Sequence, residues 1–149
     1  MTDIALNWDD ATFSADIGLA SGDLLTDDGL RTAIYISLFT DAPAKPDDVV
    51  PAGADRRGWW GDALAAIPGD ITGSRLWLLK REKQLPSVML RAQAYAAEAL
   101  QWLLDDKIAA SVDVVVTNPA RGILALSVTI TRPSGPGRQT FDYLWEATA

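Results

Sequence analysis

The chain contains no cysteine and no histidine. The first absence removes disulfides, thiolate catalysis and zinc sites built on sulfur. The second removes the commonest general base and metal ligand near neutral pH. A serine nucleophile would have no histidine to serve it, and neither Gly-x-Ser-x-Gly nor Ser-x-x-Lys occurs. Most hydrolase and metalloenzyme architectures are therefore struck out. No apolar run approaches the ~20 residues that span a bilayer. The start, Met1-Thr2-Asp3-Ile4, lacks the basic and apolar stretches of a signal peptide, so a soluble, intracellular product is expected. Internal repeats, heptads and EF-hand spacing are also missing.

What is present favours a folded domain. The 149 residues are 48% apolar with six tryptophans, which supports a real core and argues against wholesale disorder. Net charge is −7 and unevenly placed. Residues 1–55 hold eleven aspartates against Arg31 and Lys45, whereas residues 56–149 carry a net +2. Within that second part Arg75, Lys80, Arg81, Lys83 and Arg91 face only Glu82. An acidic chain is a poor general nucleic-acid binder, because phosphate contacts dominate that affinity. Opposed charge poles suit association between copies or steering onto a charged partner. Solvated faces with no specific role are the plainer alternative.

Read along the chain, Ile4 to Trp8 and Phe13 to Ile17 alternate around an Asp9-Asp10 turn, which predicts an extended N-terminal arm or hairpin over 1–25. Thr26-Asp27-Asp28-Gly29 reads as a helix start. Leu30, Ala33, Ile34, Ser37 and Leu38 then share a helical face, although Ile34-Tyr35-Ile36 leaves a strand open. Residues 41–58, with Pro43, Pro46 and Pro51, read as a long surface loop. Short helices are expected at Asp62–Ala66 and from Arg75 to Glu82, the latter capped by Ser74. The clearest helix starts at Ser87, with Val88, Ala92, Tyr95, Ala96, Ala99, Leu100, Leu103 and Leu104 in one stripe, and ends near Asp105-Asp106. From Ala110 the period becomes two. Val112, Val114 and Val116 precede a turn at Asn118-Pro119, Leu124 to Ile130 alternate, and Phe141, Tyr143 and Trp145 alternate after a Pro/Gly loop. The expected fold is α+β in one domain, 1–149: the arm, three or four helices over 26–106, then a three-stranded antiparallel meander over 110–146.

Candidate chemistry is thin. The pairs Asp9-Asp10, Asp27-Asp28, Asp47-Asp48 and Asp105-Asp106 sit at turns or helix ends, where aspartate satisfies backbone donors, and adjacent residues do not point the same way. Gly69 to Arg75 is one residue short of a phosphate loop and has arginine where lysine is needed. A glycosidase needs two carboxylates across a cleft, and nothing in the spacing of seventeen aspartates supports that. No catalytic, cofactor or metal residue is assigned.

The densest feature is Asp55-Arg56-Arg57-Gly58-Trp59-Trp60-Gly61-Asp62. Tryptophan is costly to expose, and arginine suits paired hydrogen bonds and stacking. Flanking glycines imply tight turns or close approach of another chain. Arg56, Arg57, Trp59, Trp60 and Asp62 are therefore candidate assembly contacts. The competing reading is one ring in the core and surface salt bridges to Asp55 and Asp62. Phe141, Tyr143 and Trp145 share a face that reads as core, on a terminal strand that can also pair with another chain's sheet.

These blocks, together with Asp27-Asp28-Gly29-Leu30-Arg31-Thr32-Ala33, Ser37-Leu38-Phe39-Thr40-Asp41 and Gly73-Ser74-Arg75-Leu76-Trp77-Leu78-Leu79 in that order, resemble the "gene product 46" family of Mu-like contractile-tailed phages and prophages. The resemblance runs over nearly the whole chain, and Arg-Arg-Gly-Trp-Trp-Gly-Asp is its most specific block. It implies a non-enzymatic tail-baseplate protein, made in the bacterial cytoplasm and located in the virion. Its implied partners are other baseplate subunits and sheath subunits, in a sixfold tail, with no cofactor, nucleic acid or membrane. A monomer in isolation is compatible with that. A related role in T4-type "gene product 25" wedge proteins implies a strand paired with a sheath-like neighbour. The wedge family's Glu-Pro-Arg motif is absent, since the junction reads Leu104-Asp105-Asp106-Lys107-Ile108, so that motif's contacts do not transfer. A carboxylate-dependent cell-wall hydrolase and an assembly factor left out of the particle stand as alternatives.

Overall fold

A computed structural model describes residues 3–27, 29–80, 82–83, 86–135 and 137–147. The chain opens with three small antiparallel pairings. β2 (Leu6–Asp9) and β3 (Ser14–Ile17) form a hairpin with Leu6 opposite Ile17 and Asp9 opposite Ser14. β4 (Leu19–Ala20) pairs with β5 (Asp23–Leu24), and β1 (Asp3–Ile4) pairs with β6 (Thr26–Asp27). The arm is thus folded back on itself. Its attachment is partly aromatic, since Trp8 stacks on Phe39 at 5.0 Å and Phe39 meets Tyr143 edge-on at 5.5 Å. It is also partly through Thr32, whose hydroxyl accepts the Leu6 N–H and donates to Ile4 O.

The helix count corrects the expectation. Among the described residues there are two α-helices, not three or four: α1 (Arg31–Phe39) and one bent helix of 20 residues. The bent one comprises α2 (Pro86–Ala99) and, after a break at 100–101, the turn Trp102–Asp105. At the break the Leu100 N–H is shared between the Ala96 and Ala97 carbonyls, and Gln101 N–H bonds Glu98 O, a local 3-10 tightening. The helix ends where Lys107 turns left-handed (φ 58) and Ala109 N–H closes onto Leu103 O.

The other two expected helices are single 3-10 turns, Trp60–Leu64 and Leu76–Leu79. Length and placement explain both. Pro68-Gly69 and the extended Ala65 stop the first within a turn. In the second, Leu76, Trp77, Leu78 and Leu79 are all buried, so no solvent face remains for a longer amphipathic helix. Lys80 is already extended (ψ 133), and Arg81 lies outside the described residues. The expected helix start at 26–29 also shifts. Thr26 and Asp27 are strand, Asp28 lies outside the described residues, and α1 begins at Arg31. Asp27 still serves it by accepting the Gly29 and Thr32 N–H groups at 2.9 and 3.0 Å.

The C-terminal sheet has strand order β7-β8-β9, with β7 (Ser111–Ala120), β8 (Ile123–Thr131) and β9 (Arg138–Glu146) antiparallel throughout. Leu124, Leu126, Val128 and Ile130 of the central strand are fully buried while their neighbours are not, the period-two pattern of a sheet with one covered face. Asn118-Pro119 is a bulge inside β7 and not the hairpin turn, which falls at Arg121-Gly122 with Gly122 at φ +85. Proline is tolerated there because β7 is an edge strand. Val88, Ala92, Ala96, Leu100 and Leu103 of the bent helix cover the sheet, with α1 contributing Ile34 and Leu38 to the same core.

Candidate functional site

The Arg-Arg-Gly-Trp-Trp-Gly-Asp segment is built largely by turning its polar groups inward. Arg57 and Gly58 are both left-handed (φ 52 and 113), which reverses the chain, and the Asp55 carboxylate accepts the Arg57 N–H at 3.0 Å. The Arg57 guanidinium returns to pair with Asp41 and lies over the Trp77 ring, 4.6 Å from its centroid. Arg56 donates to the Lys45 carbonyl. The Asp62 carboxylate accepts the Thr72 N–H at 3.1 and 3.2 Å, tying the two ends of the 62–72 segment together. Gly61 is required because the Trp59 ring lies directly on its backbone, where any Cβ would overlap the ring. The salt bridges expected to Asp55 and Asp62 are thus replaced by Asp41 and a backbone carbonyl.

Those contacts leave Trp60 out. It is 76% exposed against 44% for Trp59, the two rings tilted by 46° with centroids 5.5 Å apart. Leu64, Ile67 and Ile71 are likewise 79%, 64% and 61% exposed. Four large apolar side chains open to water within twelve residues are more than a scattering of surface hydrophobics. Sequence reasoning picked out the tryptophans but missed Leu64, Ile67 and Ile71. Their only signal was negative, since a segment interrupted by Pro68-Gly69 offers no helical face to bury them.

The loop 41–58 is pinned. Arg75 donates to Asp48 at 2.7 and 2.9 Å and to Glu98 at 2.7 Å, stacks on Tyr95 at 4.3 Å, and Lys45 adds a 2.8 Å bridge to Glu98. Burial alone would raise the carboxyls of Asp48 and Glu98. The hydrogen bonds and charges of Arg75 and Lys45 outweigh that and hold both below their ordinary values. The Trp77 indole donates to Ala42 O at 2.8 Å, and Ala42 and Ser74 are joined across a parallel bridge at 41–74.

The terminal-strand residues are placed differently. Tyr143 and Trp145 are buried, and burial pushes the Tyr143 phenol up to about 12. Phe141 is half-buried beneath Arg31, 5.9 Å from its ring centroid. Trp145 and Arg57 line one cavity of about 280 Å3 together with Trp8, Phe39 and Trp77, so the two groups of candidates meet there through one residue each. β9 is an outer strand, but its Leu144 N–H is taken by the Asp10 carboxylate at 3.2 Å.

The other motifs singled out in the sequence have structural roles. Ser74 is buried, donating to Leu38 O and accepting the Leu76 N–H, so the faint phosphate-loop likeness is a structural turn. Asp9 accepts Ala11 N–H and the Thr12 hydroxyl, which lowers its carboxyl. Among the described residues no three acidic side chains converge as a metal site, and no helix is long and apolar enough to cross a membrane.

The sequence profile described as "Phage protein GP46" matches residues 30–137. The chain is 43% identical over 146 residues to "Mu-like prophage FluMu protein gp46" of Haemophilus influenzae, spanning 97% of this chain and 98% of that protein. It is 44% identical over 136 residues to "Baseplate protein gp46" of Escherichia phage Mu, spanning 91% and 90%.

Proposed function

Since the chain belongs to the GP46 family of phage proteins, we propose that it is a structural part of a contractile-tail baseplate, carried in the virion and acting by protein–protein contact without catalysis. The observation that carries this is the 44% identity, over nine-tenths of both chains, to the phage Mu protein named as a baseplate component. The surface supports the same reading. Arg56, Arg57 and Asp62 hold a stiff platform by internal contacts, and Trp59 and Trp60 present ring surface from it. Preorganised aromatic side chains with satisfied polar neighbours are what interface hot spots are made of. Phe141, Tyr143 and Trp145 act from within, anchoring β9 to the core so that its outer backbone edge, beyond the Asp10 contact, can add to a neighbour's sheet. The neighbours are other baseplate subunits and the first sheath-like subunits of a sixfold tail, and the isolated chain is a monomer until they are present.

The test is a strain lacking the gene, compared with its parent by electron microscopy and mass spectrometry of purified particles. Parent particles that contain the protein, with a mutant that makes no sheathed tails or tails without baseplates, are the expected result. Intact mutant tails that infect poorly would overturn it and shift the weight to an accessory or wall-hydrolysing role.

A further inference from the structure

We propose that the groove between the 67–73 segment and the C-terminal part of the bent helix is a docking slot for a different baseplate subunit. Its occupant is a segment in which an apolar side chain is flanked by lysine or arginine. This rests on the baseplate reading above and adds the place and the chemistry of one contact.

The groove has a volume of about 380 Å3. Ile67, Ile71 and Trp102 supply its apolar surface, and Asp70, Asp105 and Asp106 its acidic rim. The Trp102 indole is already satisfied, donating to Ser37 Oγ at 3.1 Å, so what it offers an occupant is ring. Both walls are fixed before anything binds. Asp62 holds Thr72, and Gly73 (φ +104) sits against the Thr40 carbonyl so closely that a Cβ there would overlap it. The opposite wall is helix. A slot already shaped loses little freedom when filled.

The charge decides the kind of occupant. Elsewhere among the described residues several acids and bases are matched within the chain: Arg57 with Asp41, Arg75 with Asp48 and Glu98, Arg91 with Glu82. Among the described residues Asp70, Asp105 and Asp106 take part in no salt bridge. Asp105 accepts the Gln101 side-chain amide, at 3.0 Å. An occupant that covered these carboxylates with apolar or acidic surface would strip their water without return, whereas cations placed beside an apolar plug answer both features of the slot. The same rim repels phosphate, which removes nucleic acid as an occupant.

The experiment introduces the photo-crosslinking residue p-benzoylphenylalanine at Ile71, and separately at Trp60, in phage that otherwise make the normal protein set. Assembled particles are irradiated and the joined peptides are sequenced by mass spectrometry. The expected partner peptide at Ile71 comes from another baseplate subunit and carries Lys or Arg beside an apolar residue. The double variant Asp105→Lys, Asp106→Lys should reduce incorporation at least about tenfold, and Asp105→Asn with Asp106→Asn less, with circular dichroism unchanged in both. The proposal is overturned by a partner peptide without cations, by a link to a second copy of this chain, or by no link at Ile71 in particles that contain the protein. It is also overturned if the folded lysine variant incorporates normally. Absence of the protein from the particle would instead defeat the baseplate reading itself.

Discussion

Trp59 and Trp60 stand side by side, yet alanine at each should act on a different quantity. With about 250 Å2 for a tryptophan and about 25 cal/mol per Å2, the covered quarter of Trp60 stabilises the fold by at most about 1.5 kcal/mol. The covered half of Trp59, seated on Gly61, contributes up to about 3.5 kcal/mol by the same reckoning. Both are upper bounds, because the unfolded chain also buries apolar surface. A central aromatic contact in an interface is worth about 2 kcal/mol or more, roughly thirtyfold in affinity. Trp60→Ala should therefore keep nearly all its resistance to urea, followed by far-ultraviolet circular dichroism, and lose most of its incorporation into particles, measured by mass spectrometry. Trp59→Ala should lose measurable stability as well. Two results would refute the reasoning. A Trp60→Ala protein destabilised by more than about 3 kcal/mol would make that ring part of the core. A folded Trp60→Ala protein present in particles at the parental level would remove it from the docking surface.

Gly73→Ala should cost about 2–4 kcal/mol in urea unfolding, since its φ of +104 is unsuited to alanine and the Thr40 carbonyl blocks the new methyl; a neutral result would mean the backbone there can shift freely. Arg75→Met should cost about 2–4 kcal/mol, because the Asp48 carboxylate, 10% exposed, is left without its partner, and an unchanged urea midpoint would remove the network as the clamp on the loop. Asp27, Asp48 and Glu98 all have folded-state values below the ordinary carboxylate range. Their contribution is complete above that range and lost as pH falls through the lowered values, so the urea midpoint should decline below about pH 4. The decline should be shallower in Arg75→Met; equal slopes would deny the coupling. At the other end, the buried Tyr143 titrates at about 12 in the folded chain. Stability should therefore fall as pH rises above about 10, where the unfolded phenol ionises. Ultraviolet absorbance of Tyr143→Phe against the parent identifies that step, and a parent that loses no more than the variant would place the phenol in water.

Several elements were legible because local pattern and tertiary role agree. The stripe Val88, Ala92, Ala96, Leu100 and Leu103 is the buried face of the bent helix, and the alternation Leu124, Leu126, Val128 and Ile130 is the covered face of the sheet. In both, a single periodicity states which side meets the core. Leu76 to Leu79 misled because four consecutive apolar residues carry no period, and burial on all sides is compatible with one 3-10 turn as well as with a helix. Asn118-Pro119 misled because a bulge and a turn draw on the same residue types.

The sequence by itself determined the chemistry available: no thiol or imidazole, an acid-rich N-terminal third, a Trp/Arg/Gly block, and the order of helix before sheet at the C-terminal end. It also carried the family, because motif identity survives in the letters alone. Tertiary structure decided which of those groups remain accessible. Arg56, Arg57 and Asp62 spend their polarity on Lys45 O, Asp41 and Thr72, and Tyr143 and Trp145 are closed into the core. Trp60, Leu64, Ile67 and Ile71 stay outside, the last two with an acidic rim beside them. The reason is physical. Residue type and spacing fix what a side chain can do with its near neighbours, whereas exposure and pairing depend on distant segments, as in Asp48 with Arg75, 27 residues apart, or Ser37 with Trp102, 65 residues apart, whose meeting no local pattern records.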